Sequence, residues 1–128
     1  MNGSSKKADP RKRGKWGEGI ALEHMIKKGY TLVTSGYRSR FGEIDLIMKN
    51  KEFLVFVEVK TRKNANFAFA REYVSKEKQK KLISTANLWL TKRPVKLQPR
   101  FDVIEVYAKD GELTKNPEIN HIENAFGV

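Results

Sequence analysis

The chain has 128 residues, one domain by length, with no cysteine, two histidines and a formal net charge of +11. Disulfide frameworks, thiolate metal sites, cysteine nucleophiles and multi-histidine metal centres are thereby excluded, and the excess of Lys and Arg points to a polyanionic partner. No apolar run nears the roughly 20 residues of a membrane span, the basic N-terminus lacks the apolar stretch of a secretory signal, and cysteine-free composition fits a cytoplasmic protein with no membrane partner.

Charge is unevenly placed: residues 1–28 carry +5, 29–59 are neutral, 60–100 carry +10 and 101–128 carry −4. Residues 1–13, rich in Gly, Ser, Lys and Arg, read as a flexible basic arm ahead of one domain over residues 14–128. Lys15 to Lys28 reads as a helix, because Trp16, Ile20, Leu22, Met25 and Ile26 recur at three- and four-residue spacing and Gly29 follows two lysines. Gly17 and Gly19 weaken its first turn, which suggests a close approach there. Tyr30–Tyr37 and Phe41–Met48 read as strands. In the second, Ile44, Leu46 and Met48 are expected on one face and Glu43, Asp45 and Ile47 on the other.

A turn over Lys49–Glu52 makes Phe53–Lys60 its antiparallel partner, and that strand is apolar on both faces until Glu58, as a central strand is. Thr61–Tyr73 is an irregular connection. Ser75 is placed to cap a helix running to Lys92, with Leu82, Ile83, Ala86, Trp89 and Leu90 on one side and lysines on the other. Arg100–Tyr107 is a fourth strand, Asp110-Gly111 a turn, and Ile119–Ala125 a weak last strand. The order α-β-β-β-α-β, with that strand beyond it, implies an α/β fold: a mixed central sheet of four to five strands flanked by helices.

The central strand ends in charges that packing does not call for, since an uncompensated buried carboxylate costs several kcal/mol. Glu58 and Lys60 share a face with Leu54 and Phe56. With a hairpin centred on residues 50 and 51, Asp45 lies roughly opposite residue 56 and Glu58 about one pair further on, so carboxylates of adjacent strands converge. Such carboxylates repel unless protonated or bridged by a cation. With no cysteine thiolate and no paired histidines, the cation is hard and oxygen-loving: Mg²⁺, with Mn²⁺ able to substitute. Carboxylates with Mg²⁺ and a lysine, between two basic flanks, suit phosphodiester hydrolysis.

Gly42-Glu43-Ile44-Asp45-Leu46-Ile47 followed by Phe56-Val57-Glu58-Val59-Lys60-Thr61-Arg62 resembles the PD-(D/E)xK nuclease superfamily, the restriction-endonuclease-like fold. More narrowly, it resembles the YraN family of bacterial proteins, which is similar to archaeal Holliday-junction resolvases. Gly14, Glu18 and Ala21, Gly29-Tyr30, Val74-Ser75 with Lys78-Gln79, and Arg100-Phe101-Asp102-Val103 extend the likeness from about Gly14 to Tyr107. The resemblance implies Asp45 as the principal metal-bridging carboxylate, Glu58 as second ligand with the Val59 carbonyl as a third, and Lys60 as the catalytic lysine. Glu18 would complete the site from the first helix, and Glu43 would stand just behind these ligands. The chain departs from the family at Gly36, where Asn is common, and at Ala68-Phe69-Ala70, where Gly-x-Pro is usual.

The activity so implied is Mg²⁺-dependent endonucleolytic hydrolysis of DNA. Branched, junction-like DNA suits a chain too small for a separate recognition domain, and a homodimer would set two sites on two strands. Contacts to the phosphate backbone are expected from Arg11, Lys12, Arg13, Lys15, Arg38, Arg40, Arg62, Lys76, Lys78, Lys80 and Lys81. The alternative is a non-catalytic nucleic-acid-binding protein that retains the nuclease fold. His24 and His121 read as surface residues, Trp16 and Trp89 as core, Phe67 and Phe69 as core or base-stacking residues, and Asp102 and Glu105 as structural.

Overall fold

The computed structural model describes residues 10–63 and 74–127. Helix α1 (Pro10–Lys27) leads into β1 (Thr31–Ser39), β2 (Gly42–Lys49) and β3 (Phe53–Arg62). Then come α2 (Lys76–Lys92), β4 (Gln98–Tyr107), a 3-10 turn at Gly111–Leu113 and β5 (Glu118–Phe126). The strands form one sheet in the order β1-β2-β3-β4-β5. Strands β3 and β4 are parallel and the other neighbours antiparallel, so the fold is α/β with a mixed sheet. Among the described residues no helix is long and apolar enough to cross a membrane.

The first helix starts at Pro10, earlier than the arm's expected end at residue 13. Proline suits a first helical position, where its missing N–H has no intrahelical partner to lose. Residues 1–9 lie outside the described residues, as do Phe67, Ala68, Phe69 and Ala70. Gly29, at φ +100, ends α1 by turning the N–H groups of Gly29 and Tyr30 back to the carbonyls of Ile26 and Met25.

The helices cover opposite faces of the sheet. From α2, Leu82, Ala86 and Trp89 pack on Ile44, Ile47, Leu54, Phe56, Phe101 and Val103. From α1, Ala21 and Met25 pack on Leu46, Met48, Val55, Val57, Ile104 and Val106. Strand β3 alternates between the two faces as its sequence implies. Strand β2 does not: Ile44 joins Ile47 on the α2 side, while Leu46 and Met48 face α1. The slip falls at Asp45, where the β2–β3 ladder has ended at Leu46↔Val57. Asp45 offers β3 its carboxylate instead of its backbone, accepting the Val59 N–H at 2.8 Å.

The register also differs from expectation, since Ile47 rather than Asp45 stands opposite Phe56. Asn50 sets the turn: its side-chain oxygen accepts the N–H groups of Glu52 and Phe53, and its own N–H donates to the Phe53 carbonyl. Lys49 then pairs with Leu54. One pair beyond the end of that ladder, Asp45 comes level with Glu58.

A buried polar network ties α1 to β4 and β5. Asp102, 0 % exposed, accepts Arg100 Nε and Nη2 at 2.8 Å each. It also bonds His121 Nε2 at 2.7 Å and accepts the Asn124 N–H at 3.0 Å. Asn124 has φ 53 beside the point where the β4–β5 register shifts, so Asp102 pins that irregularity. His121 Nδ1 lies 3.1 Å from His24 Nε2 on α1. The two histidines expected at the surface are therefore a contact between α1 and β5, and the His121 side chain is 5 % exposed. Glu105, also fully buried, accepts Arg62, Tyr107 and Asn120, so both of these acids are structural.

Candidate functional site

Four elements converge where β2 and β3 part: α1 with Glu18, β2 with Asp45, β3 with Glu58 and Lys60, and α2 with Lys78. The approach of α1 depends on Gly17. A Cβ there would overlap Thr61 Oγ1, so glycine lets the helix lie against β3 and sets the next residue, Glu18, beside the sheet. Gly19 meets nothing within 4 Å, so only one of the two glycines serves a close approach.

Asp45 is the centre of the cluster. It is oriented by the Val59 N–H and hydrogen-bonded to Glu18. Burial, and next the Glu58 charge, push its carboxyl up to about 8. Glu18 is also raised, by burial first and then by the Glu43 charge. Two carboxyl groups can hydrogen-bond only by sharing a proton, and both are held in the direction that keeps one.

Glu58 is 5 % exposed and is occupied differently. Its Oε2 lies 2.7 Å from Lys78 Nζ and 3.7 Å from Lys60 Nζ. Lys60 sits below its ordinary value, through burial first and then the charge of Lys78. Burial is the largest single effect and pulls Lys78 the same way, but the hydrogen bond and charge of Glu58, together with the charge of Asp45, outweigh it and hold Lys78 above its ordinary value. Lys78 is thus the firm cation and Lys60 the one closer to losing its proton.

Of the residues expected at the site, Glu18, Asp45, Glu58 and Lys60 come together. Val59 contributes its N–H. Glu43 acts on Glu18 through charge and pairs with Arg38 at 3.6 Å. Lys78 was expected on a phosphate-facing surface and instead reaches into the carboxylates. Its place in the first turn of α2 is legible, since Ser75 caps that turn by accepting the Lys78 N–H. No local signal says that this turn lies over β3.

The remaining basic residues divide. Arg62 is turned inward, its Nε 2.8 Å from Glu105, and serves the fold. Lys76, Lys80 and Lys81 are exposed on α2, and Lys15 is exposed on α1. Arg38 is exposed, and Arg40 lies over the Phe41 ring. Arg11, Lys12 and Arg13 fall within the first turns of α1. A cavity of about 250 Å³ opens beside Lys78, with Gly42, Glu43, Ser75 and Lys81 in its wall. A larger one of about 680 Å³, bordered by Lys63, Lys109 and Lys115, shares no residue with the carboxylate cluster.

Among the described residues no three acidic or histidine side chains stand ready to hold a metal ion. The donor set nonetheless suits a hard divalent cation. It offers oxygen alone, and Glu18 and Asp45 are both raised above the ordinary carboxylate range, as crowded carboxyls without a counter-charge are. Of its carboxylates, Glu58 is already engaged, with two lysines facing its Oε2.

Residues 17–106, which include every member of this cluster, match the family described as Uncharacterised protein family UPF0102. The chain is similar to a UPF0102 protein of Caldanaerobacter subterraneus, at 43 % identity over 94 % of this chain and 99 % of the relative. It is similar to a UPF0102 protein of Clostridioides difficile at 40 % identity, over 91 % and 97 %. A UPF0102 protein of Syntrophotalea carbinolica is 36 % identical, over 90 % and 91 %.

Proposed function

This chain belongs to the UPF0102 family, the YraN family of the resemblance above, and from that premise we propose that it is a divalent-cation-dependent endonuclease acting on DNA. The observation that carries this reading is the meeting of Glu18, Asp45 and Glu58 with Lys60 and Lys78 at one point of the sheet. Asp45 and Glu58 would hold Mg²⁺ or Mn²⁺, with Glu18 and the Val59 carbonyl as further donors. Such an ion, when bound, supplies positive charge that polarises the phosphate and eases loss of a proton from water.

The other roles belong to the chain. The Val59 N–H fixes the direction of the Asp45 carboxylate. Lys60, drawn below its ordinary value beside Glu58, exchanges a proton with the attacking water or leaving oxygen, or offsets charge developing on the phosphate. The exposed lysines of α2, with Lys15 and the basic N-terminal segment, bind the phosphate backbone in a salt-dependent way. Their contacts are to backbone rather than bases, which favours recognition of shape and hence of branched DNA. A homodimer would present two such sites to two strands.

The occupation of Glu58 by lysines favours a second reading, a nucleic-acid-binding protein that keeps the fold without catalysis. One assay separates them. Linear duplex, single-stranded, flap and four-way-junction DNA are incubated with the protein and with Asp45→Ala, in Mg²⁺, Mn²⁺ or EDTA. Metal-dependent cutting by the wild type alone is the expected result. Binding by both proteins with no cutting under any condition would replace the first reading by the second.

A further inference from the structure

Lys78 holds a position that the proposed chemistry does not by itself call for. Its Nζ is 2.7 Å from Glu58 Oε2, a full ångström closer than Lys60 to the same oxygen. Glu58 lies almost wholly inside the protein, so a carboxylate there needs a counter-charge at all times. The same carboxylate would face a divalent cation. It cannot give its full charge to an ammonium at hydrogen-bond distance and to a metal ion together.

Lys78 is also built to leave. Its side chain is 45 % exposed, whereas that of Lys60 is 29 % exposed and rises from within β3. It borders the cavity of about 250 Å³ that Gly42, Ser75 and Lys81 also line, with Glu43 and Glu77 at its wall. That cavity opens at the first turn of α2, beside Lys81. An ammonium released from Glu58 therefore has somewhere to go, on the face where the exposed Lys76, Lys80 and Lys81 stand.

We propose that Lys78 is a displaceable counter-cation: it holds Glu58 in the metal-free protein, competes with the divalent cation for that carboxylate, and passes to a phosphate of the nucleic acid once Glu58 is taken. The inference rests on the proposed function and adds to it a positioning residue that couples metal loading to substrate binding. Lys60 stays beside Glu58 throughout, so the two lysines have separate tasks.

The test is direct Mn²⁺ binding to the full chain without nucleic acid, by calorimetry or by the Mn²⁺ resonance signal, for the wild type, Lys78→Ala and Lys78→Arg. Removing the competing charge from this half-exposed position is expected to tighten Mn²⁺ binding about tenfold or more in Lys78→Ala, with Lys78→Arg near the wild type. A structural role would weaken binding instead. Thermal midpoints establish that each variant is folded. Equal or weaker binding by folded Lys78→Ala overturns this inference and leaves the proposed function standing. Absence of Mn²⁺ binding by all three proteins overturns both. Duplex DNA binding supplies the second arm: Lys78→Ala is expected to lose affinity in Ca²⁺ and to match the wild type in EDTA. An equal loss in both would show that Lys78 meets phosphate without first leaving Glu58, and would overturn the inference.

Discussion

Asp45→Asn removes a charge and keeps the shape of the side chain. The amide oxygen still accepts the Val59 N–H, and the amide nitrogen can donate to Glu18 without a shared proton. The Asp45 carboxyl of the folded protein is raised to about 8, above its unfolded value. Its favourable contribution is therefore fully present below about pH 4 and is lost as pH rises through about 8. Carrying a carboxyl from near 4 to about 8 costs the folded protein at most about 5–6 kcal/mol at alkaline pH. Glu18 shares that charge and water reaches this half-buried position, which brings the expected cost to about 2–3 kcal/mol. In urea titrations with EDTA, Asp45→Asn should match the wild type near pH 4 and exceed it by about 2–3 kcal/mol near pH 8. Mg²⁺ should narrow the gap by stabilising the wild type alone. A variant less stable than the wild type at pH 8, or a gap that does not widen between these two values, would refute the reasoning.

Away from the site, Asp102→Ala leaves Arg100 buried without its carboxylate and should cost about 3–5 kcal/mol in urea denaturation, and a loss below about 1 kcal/mol would contradict the network described. Asp102 and Glu105 are both held below the usual carboxylate range, against burial, by the hydrogen bonds they accept. The stability they confer is present above the unfolded value near 4 and is lost as pH falls through their lower folded values, so the thermal midpoint should drop steeply below about pH 4 and less steeply in Asp102→Asn. Gly17→Ala should cost about 1–3 kcal/mol through overlap with Thr61, with most of it recovered in Gly17→Ala/Thr61→Ala. Gly19→Ala, in open space on the same helix, should instead add about 0.5–1 kcal/mol in thermal or urea unfolding.

The elements were legible where local chemistry decides them. Phe53 to Val57 is apolar on both faces and could only be an interior strand, and Ser75 caps α2 as its sequence implies. Glu58 and Lys60 were conspicuous because charge at the end of such a strand has no packing reason. The register was not legible, because it depends on how the Asn50 side chain closes the turn. Nor was the slip at Asp45, where a side chain replaces a rung of the ladder. Contacts between distant segments were hidden altogether. His24 and His121 lie 97 residues apart and carry no mark of their pairing. Lys78 looks like any lysine of a solvated helix face until α2 is laid over β3.

The most direct measurement follows one labelled four-way junction with the wild type and Lys60→Ala, in Mg²⁺ and in EDTA, scoring binding and cleavage on the same samples. We expect the wild type to cut in Mg²⁺ alone, and Lys60→Ala to bind the junction with similar affinity and leave it whole. Cutting by Lys60→Ala at the wild-type rate, or a wild type that binds the junction in Mg²⁺ and Mn²⁺ and never cuts it, would contradict a phosphodiesterase built on Asp45, Glu58 and Lys60.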